Sequence, residues 1–323
     1  MMNFKMIALA LMLSCTGPST VFAQAAYPSK PIRLLVPFAA GGGADVAARP
    51  FVQRLSERLG QSIIYENRGG AGGVLAGETV ARAYPDGYTL LLGAVSVMTT
   101  TTHLMPKSPF DPATDFAPIT RLMNVPSLIA ARASFAPRTL KEMVDYVKAN
   151  PGKLIWAMSG IGSAGHLATE RFKMDLALNV TQVFYKGAGP GTIALLSNEA
   201  DVMFANPGVF MAHIKAGRLR AIALASAKRI AIMPDLSTFA EQGYPGYENG
   251  SWYGLVAPAR TPAVVIKRLH EESVKVLSEP EIIAGLARDG GLTVGNTPQQ
   301  FGQEIRDELA ASAKVIKAAG IRL

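Results

Sequence analysis

Eight short apolar runs, separated mostly by stretches with helical periodicity, limit what this chain can fold into: residues 32–38, 62–66, 88–93, 128–131, 154–159, 180–185, 201–204 and 219–225. Runs of this length, rich in aliphatic residues and bounded by turn formers, read as strands. They are apolar continuously rather than alternately, so both faces of each strand must be covered. That pattern predicts an α/β chain with parallel sheets and helices on both sides. At 323 residues, such a chain buries roughly three quarters of its unfolded surface and usually divides into two domains.

Helix starts are marked by side-chain caps. Thr139 with Glu142, and Thr297 with Gln300, have capping-box spacing, and Pro298 follows Thr297 at the favourable first helical position. A helix is expected from about Asp45 to Leu59, with Ala48, Val52, Leu55 and Leu59 on one face. Pro50 inside it predicts a kink or a late start. Two segments, Asn124 to Ile129 and Gly250 to Pro258, are apolar, extended and bracketed by Pro or Gly. They read as strands crossing between two lobes.

The first residues have the form of a secretory leader: Lys5, an apolar run from Met6 to Leu13, then small residues at Ala23 and Ala25. The leader is assigned to residues 1–23, which implies that the mature protein is exported. Lipidation at Cys15 is disfavoured by the bulky Leu13 beside it. Cys15 is the only cysteine, so its removal leaves neither a disulfide framework nor a thiol nucleophile. The formal charge of +8 is scattered, without the basic stripes and interleaved aromatics of a nucleic-acid binder.

Two glycine-rich loops carry the chemistry. In Val36 to Arg49 a strand runs into three glycines, with Asp45 placed to cap the next helix and Arg49 one turn beyond it. Three glycines let the backbone approach a ligand and point several N–H groups into one space at a helix N-terminus. Gly160, Gly162 and Gly165 then spell G-x-G-x-x-G, with Ser163 as a cap for a helix beginning at Ala164. A dinucleotide site needs an acidic residue about 20 positions on, and Tyr185 and Lys186 stand there instead. What remains is a seat for a carboxylate or phosphate, with no cofactor. Two such seats, one in each half of the chain, would neutralise an anion without burying a Lys or Arg beside it.

Catalytic readings find little support. His103, His166, His213 and His270 lack metal-ligand spacing, so no metal is expected. Ser159 or Ser163 with His166 has no G-x-S-x-G elbow around it, and a cap with its neighbour is the simpler reading. No catalytic residue is assigned and the chain is read as a non-enzyme.

From Tyr27 onward the residues resemble a family. The segments YPSKPIRLLVPFAAGGGADVAAR, ENRGGAGG, PDGYTLLLG, PFDPATDFAPIT, SGIGSAGHLATERF, YKGAGP, ADVMFANPG, MPDLSTFAEQGYPGYE and SWYGLVAPARTP follow in order. Together they resemble the Bug family of periplasmic solute-binding proteins, associated with tripartite tricarboxylate transporters. The resemblance implies a type II periplasmic-binding-protein fold, two doubly wound lobes joined by two crossing strands. Lobe 1 would comprise residues 24–127 and 251–323, and lobe 2 residues 128–250.

Carried over by position, the ligand-facing residues are Ala40, Gly41, Gly42, Gly43, Ala44 and Asp45 in the first lobe. In the second they are Ser159, Gly160, Gly162, Ser163, Ala164, Gly165 and His166, with Ser96, Lys186, Gly187 and Asn206 at further cleft positions. The implied ligand is a small mono- or dicarboxylate, and the implied partner a membrane permease or, alternatively, a sensor histidine kinase.

Two departures bear on the ligand. Ala205 stands where the family often has Asp, which removes an acceptor for a ligand amine and argues against an amino acid. Thr101, Thr102 and Met105 replace the usual Asn-Pro and Tyr pattern, and apolar Val95, Val97 or Met98 there favour a less polar or aromatic acid.

Overall fold

The structure is a computed structural model that describes residues 27–38, 43–185, 187–288 and 290–322; for residues 43–46 and 71 only the backbone is described. The expected leader therefore lies outside the described residues.

In chain order the first lobe begins with β1 (Ile32–Val36), α1 (Gly43–Leu59), β2 (Ile63–Asn67), a 3-10 turn (Ala71–Gly73), α2 (Val74–Ala81) and β3 (Thr89–Ala94). A π-helical turn (Ser96–Thr100) runs into the short α3 (Thr101–Leu104), and β4 (Phe116–Arg132) then leaves for the second lobe. There follow α4 (Leu140–Ala149), β5 (Ile155–Met158), α5 (Ala164–Leu176), β6 (Thr181–Phe184), α6 (Ala188–Leu196), β7 (Val202–Ala205), α7 (Pro207–Lys215) and β8 (Leu219–Ala225). The chain returns through β9 (Gly250–Pro258) and ends with α8 (Ala263–Leu277), α9 (Pro280–Ala287), β10 (Leu292–Thr293) and α10 (Pro298–Ala319).

The strands lie in the order β2-β1-β3-β9-β4-β7-β5-β6, with β8 and β10 also paired to β4. The expected parallel pairing holds for β1 with β2 and β3, and for β5 with β6 and β7. It fails around the crossing, where β9 runs antiparallel to β3 and β4, and β4 antiparallel to β7, β8 and β10. The correction has a simple cause. One strand leaves the first lobe and the other comes back, so side by side they must run in opposite directions.

Along residues 128–131 of β4, side chains alternate between two cores, as a period of two requires. Ile129 and Ala131 join Trp156, Phe172, Phe204 and Phe239, whereas Leu128 and Ala130 join Ala157, Met203 and Phe210. Covering on both faces explains why this run is apolar without interruption. The first lobe has its own core, from Ile32 to Val125 and again from Trp252 to Ile305.

Asn124, Val125 and Pro126 pair with Trp252, Ser251 and Gly250 where the chain crosses. A methyl group on Gly250 would sit 2.5 Å from the Val125 carbonyl oxygen and 2.9 Å from Pro126 Cα, so only glycine permits this approach. Pro126 stands where β4 changes partners, with β8 pairing from Ser127 onward, a place where a missing N–H is tolerated.

The caps match their spacing. Ser163 Oγ accepts from the His166 amide at 3.2 Å, Thr139 Oγ1 from the Glu142 amide at 3.2 Å, and Thr297 forms a full capping box with Gln300. α1 departs from expectation. It begins at Gly43 and runs unbroken through Pro50, so Asp45 is the third helical residue rather than the cap.

Glu272, 3 % exposed, ties α8 to α1 by accepting from Arg58, Arg268 and Lys275, each at 2.8 Å. Glu272→Ala is expected to destabilise the first lobe by about 2–3 kcal/mol in denaturant unfolding, less than for a fully buried pair because the cations reach water.

Candidate functional site

Strand register brings the expected loops to one place. Met158 aligns with Phe184 across β5 and β6, and Ala157 with Met203 across β5 and β7. Ser159, Gly187 and Asn206 therefore leave from the same edge of the second lobe. Because Leu128 of β4 pairs with Ala205, that edge faces the crossing. In the first lobe Leu35 aligns with Leu91, and Ala94 with Tyr253 of β9, so the loops after β1 and β3 leave toward the crossing as well.

The turn before α5 is built from the residues of the G-x-G-x-x-G. The Ser163 amide donates to the Gly160 carbonyl at 3.3 Å, closing the turn. Gly162 holds φ +71°, and a methyl on it would lie 2.4 Å from Leu104 Cδ1 and 3.1 Å from Thr100 Cγ2 of the first lobe. A methyl on Gly165 would meet the Phe204 carbonyl oxygen at 2.8 Å, so the third glycine serves the packing of α5 on β7. The motif is thus a turn, a contact between lobes and a helix-to-strand approach.

Its hydrogen bonds decide which amides are free. The Gly162 N–H donates to His166 Nδ1 at 3.1 Å, the His166 N–H to Ser163 Oγ, and the Leu167 N–H to the Ser163 carbonyl at 3.0 Å. Among the described residues the amides of Gly160, Ile161, Ala164 and Gly165 take no partner. Those of Ala164 and Gly165 lie at the positive end of a 13-residue helix, where an anion is favoured. Sequence spacing alone cannot separate them from the Gly162 amide, which is already occupied.

His166 is placed as a support. Its ring is 3 % exposed, lies edge-on to Phe184 at 4.9 Å, and accepts at Nδ1, so its proton is on Nε2, 3.8 Å from Glu170. Glu170 is in turn held by Lys173 at 2.8 Å and Gln182 at 2.6 Å. Burial lowers the His166 pKa below the usual 6.5, with Lys173 acting the same way and Glu170 opposing. The Ser163 hydroxyl is occupied as a cap, so the geometry shows no nucleophile and base here.

The opposite wall is the π-helical turn and α3. Thr100 is fully buried and its hydroxyl has no partner; the hydroxyls of Ser96 and Thr102 are likewise buried without one. Gly162 lies against the Thr100 Cγ2 methyl. Sequence reading missed Thr100 and Leu104, because the departure of residues 95–105 from the family pattern hides which side chains face the other lobe. Val97 and Met98, expected at the pocket wall, are fully buried in the first-lobe core; only Val95 is partly exposed.

Gly187 precedes α6, and Asn206 precedes α7 with Pro207 at its first position. Gly43, Ala44 and Asp45 form the first turn of α1. Ala40, Gly41, Gly42 and Lys186 lie outside the described residues.

Residues 47–321 match the family described as tripartite tricarboxylate transporter family receptor. Protein BugT of Bordetella pertussis is 31% identical over 323 residues, spanning 100% of this chain and 99% of its own. A protein of R. palustris solved with adipate superposes with a TM-score of 0.81 at 33% identity, covering 92% of this chain and 99% of that one. MatC of Rhodopseudomonas palustris, solved with malate, gives 0.77 at 31% identity, covering 90% and 100%.

Two outcomes are expected. His166→Gln keeps an acceptor for the Gly162 amide but removes a titrating group. Because the native pKa lies below the unfolded one, stability from His166 is complete above about pH 6.5 and falls as pH drops toward the native value. Unfolding free energies measured from pH 7.5 to 5 should fall less steeply in the variant. An equal slope would mean that the ring is not held neutral. Gly165→Ala forces α5 off β7, and a loss of about 1–3 kcal/mol is expected in denaturant unfolding.

Proposed function

Because this chain belongs to the tripartite tricarboxylate transporter family of receptors, we propose that it captures a small organic carboxylate between its two lobes in the periplasm and hands it to a membrane permease. The observation that carries this reading is the pair of unpartnered amides on Ala164 and Gly165, set where the Gly160–Gly165 turn meets Thr100 and Leu104 of the other lobe. An anion there is held by backbone dipoles without a buried counter-charge. Solved relatives hold adipate and malate, both carboxylates.

The chain crosses between lobes at β4 and β9, and the lobes meet at Gly162. A ligand touching both walls favours the closed arrangement by as much as it prefers that arrangement over the open one. Ala40, Gly41, Gly42, Lys186, Gly187, Asn206 and Ser96 complete the proposed clamp, and a leader over residues 1–23 would account for export.

The test is Ala164→Pro. Proline is favoured at a first helical position, and Ser163 already has φ −65° and ψ 156°, which suit the residue before a proline. The substitution deletes one free N–H and leaves the helix intact. Calorimetric titration with malate and adipate is expected to show about a ten- to hundredfold loss of affinity, the worth of one hydrogen bond to a charged group, with the unliganded melting temperature unchanged. Unchanged affinity would remove the anion seat from this turn.

A further inference from the structure

A cavity of about 570 Å³ lies between the lobes, beside the proposed carboxylate seat. One long wall is α5, with Ala164, Ala168 and Phe172 one turn apart on the same face; the other is α10, with Ala311, Ser312 and Val315. The crossing strands, around Asn124 and Trp252, close it from behind. Its surface is more apolar than polar, with Arg121, Arg171, Lys228, Glu248 and Glu308 also on its wall, and its size is within the range that holds ligands far larger than a carboxylate group.

The cavity begins at the seat. Ala164, whose amide is free, lines it, and so do Val95 and Thr99, the residues that precede Ser96 and Thr100 on the opposite wall. Small side chains on both helices keep it open. The lobes cannot fill it by closing further, because Gly162 is already against Leu104 and Thr100.

We propose that the captured carboxylate carries a bulky apolar body, an aryl or branched alkyl group, that lodges between α5 and α10 while its carboxylate is held by the Ala164 and Gly165 amides. The proposal rests on the carboxylate-clamp reading. The body would touch one helix from each lobe, so its burial adds directly to the preference for the closed arrangement. Specificity would then reside in Ala168 and Ala311, whose short side chains define the gap.

The test compares acids that share a carboxylate and differ in body: propionate and adipate against 3-phenylpropionate, titrated calorimetrically into the mature protein. At least tenfold tighter binding of 3-phenylpropionate than of propionate is expected. Ala168→Trp fills the cavity from α5 and Ala311→Trp fills it from α10. Each should bring 3-phenylpropionate down to the affinity of propionate, with propionate itself changed by less than threefold and the unliganded melting temperature retained.

If short acids bind and 3-phenylpropionate binds no better, the proposal fails and the clamp stands. It also fails if neither tryptophan weakens 3-phenylpropionate, or if adipate and 3-phenylpropionate bind together without competing. If no acid of any size binds, the clamp and this proposal fall together.

Discussion

The close approach of β4 and β9 at Gly250 is the contact on which the rest of the molecule depends. The chain passes between lobes along these two strands, and they can pair through the boundary only because no side chain stands between Gly250 and the Val125 carbonyl. That pairing sets both lobes with the outgoing ends of their parallel strands toward the same gap. The loops after β1, β3, β5, β6 and β7 are thereby collected from segments more than 150 residues apart. A binding gap at the crossing follows from the direction of the strands.

Within that gap the turn before α5 is organised from behind. The buried imidazole of His166 takes the Gly162 amide, Ser163 takes the His166 amide, and Glu170 with Lys173 and Gln182 fixes the far side of the ring. Among the described residues the amides of Gly160, Ile161, Ala164 and Gly165 are left over, the last two at the end of the helix where partial positive charge collects. The turn is also where the lobes touch, through Gly162 on Leu104 and Thr100. The proposed anion seat and the lobe contact thus share one short segment, and a ligand held there would contribute to both.

Much of this was legible in the residues. The apolar runs placed the strands, and Ser163, Thr139 and Thr297 placed their helix starts. Other features were not. Continuous apolar strands were read as uniformly parallel, yet burial on both faces does not reveal strand direction, and the crossing strands run against their neighbours. Val97 and Met98 were expected at the pocket because they fall in the right loop, but the π-helical turn directs them into the first-lobe core.

By itself the sequence determined what local chemistry controls: element positions, caps, the turn-forming glycines and the absence of a cysteine framework. Each depends on side chains within a few residues of one another, so spacing alone carries the information. Only the tertiary structure decided which amides of the Gly160–Gly165 turn are free, that His166 faces inward, that Thr100 and Leu104 form the opposite wall, and that α5 and α10 leave a gap beside the seat. Those outcomes rest on contacts between distant segments, where packing and hydrogen-bond competition, rather than spacing, select the partner.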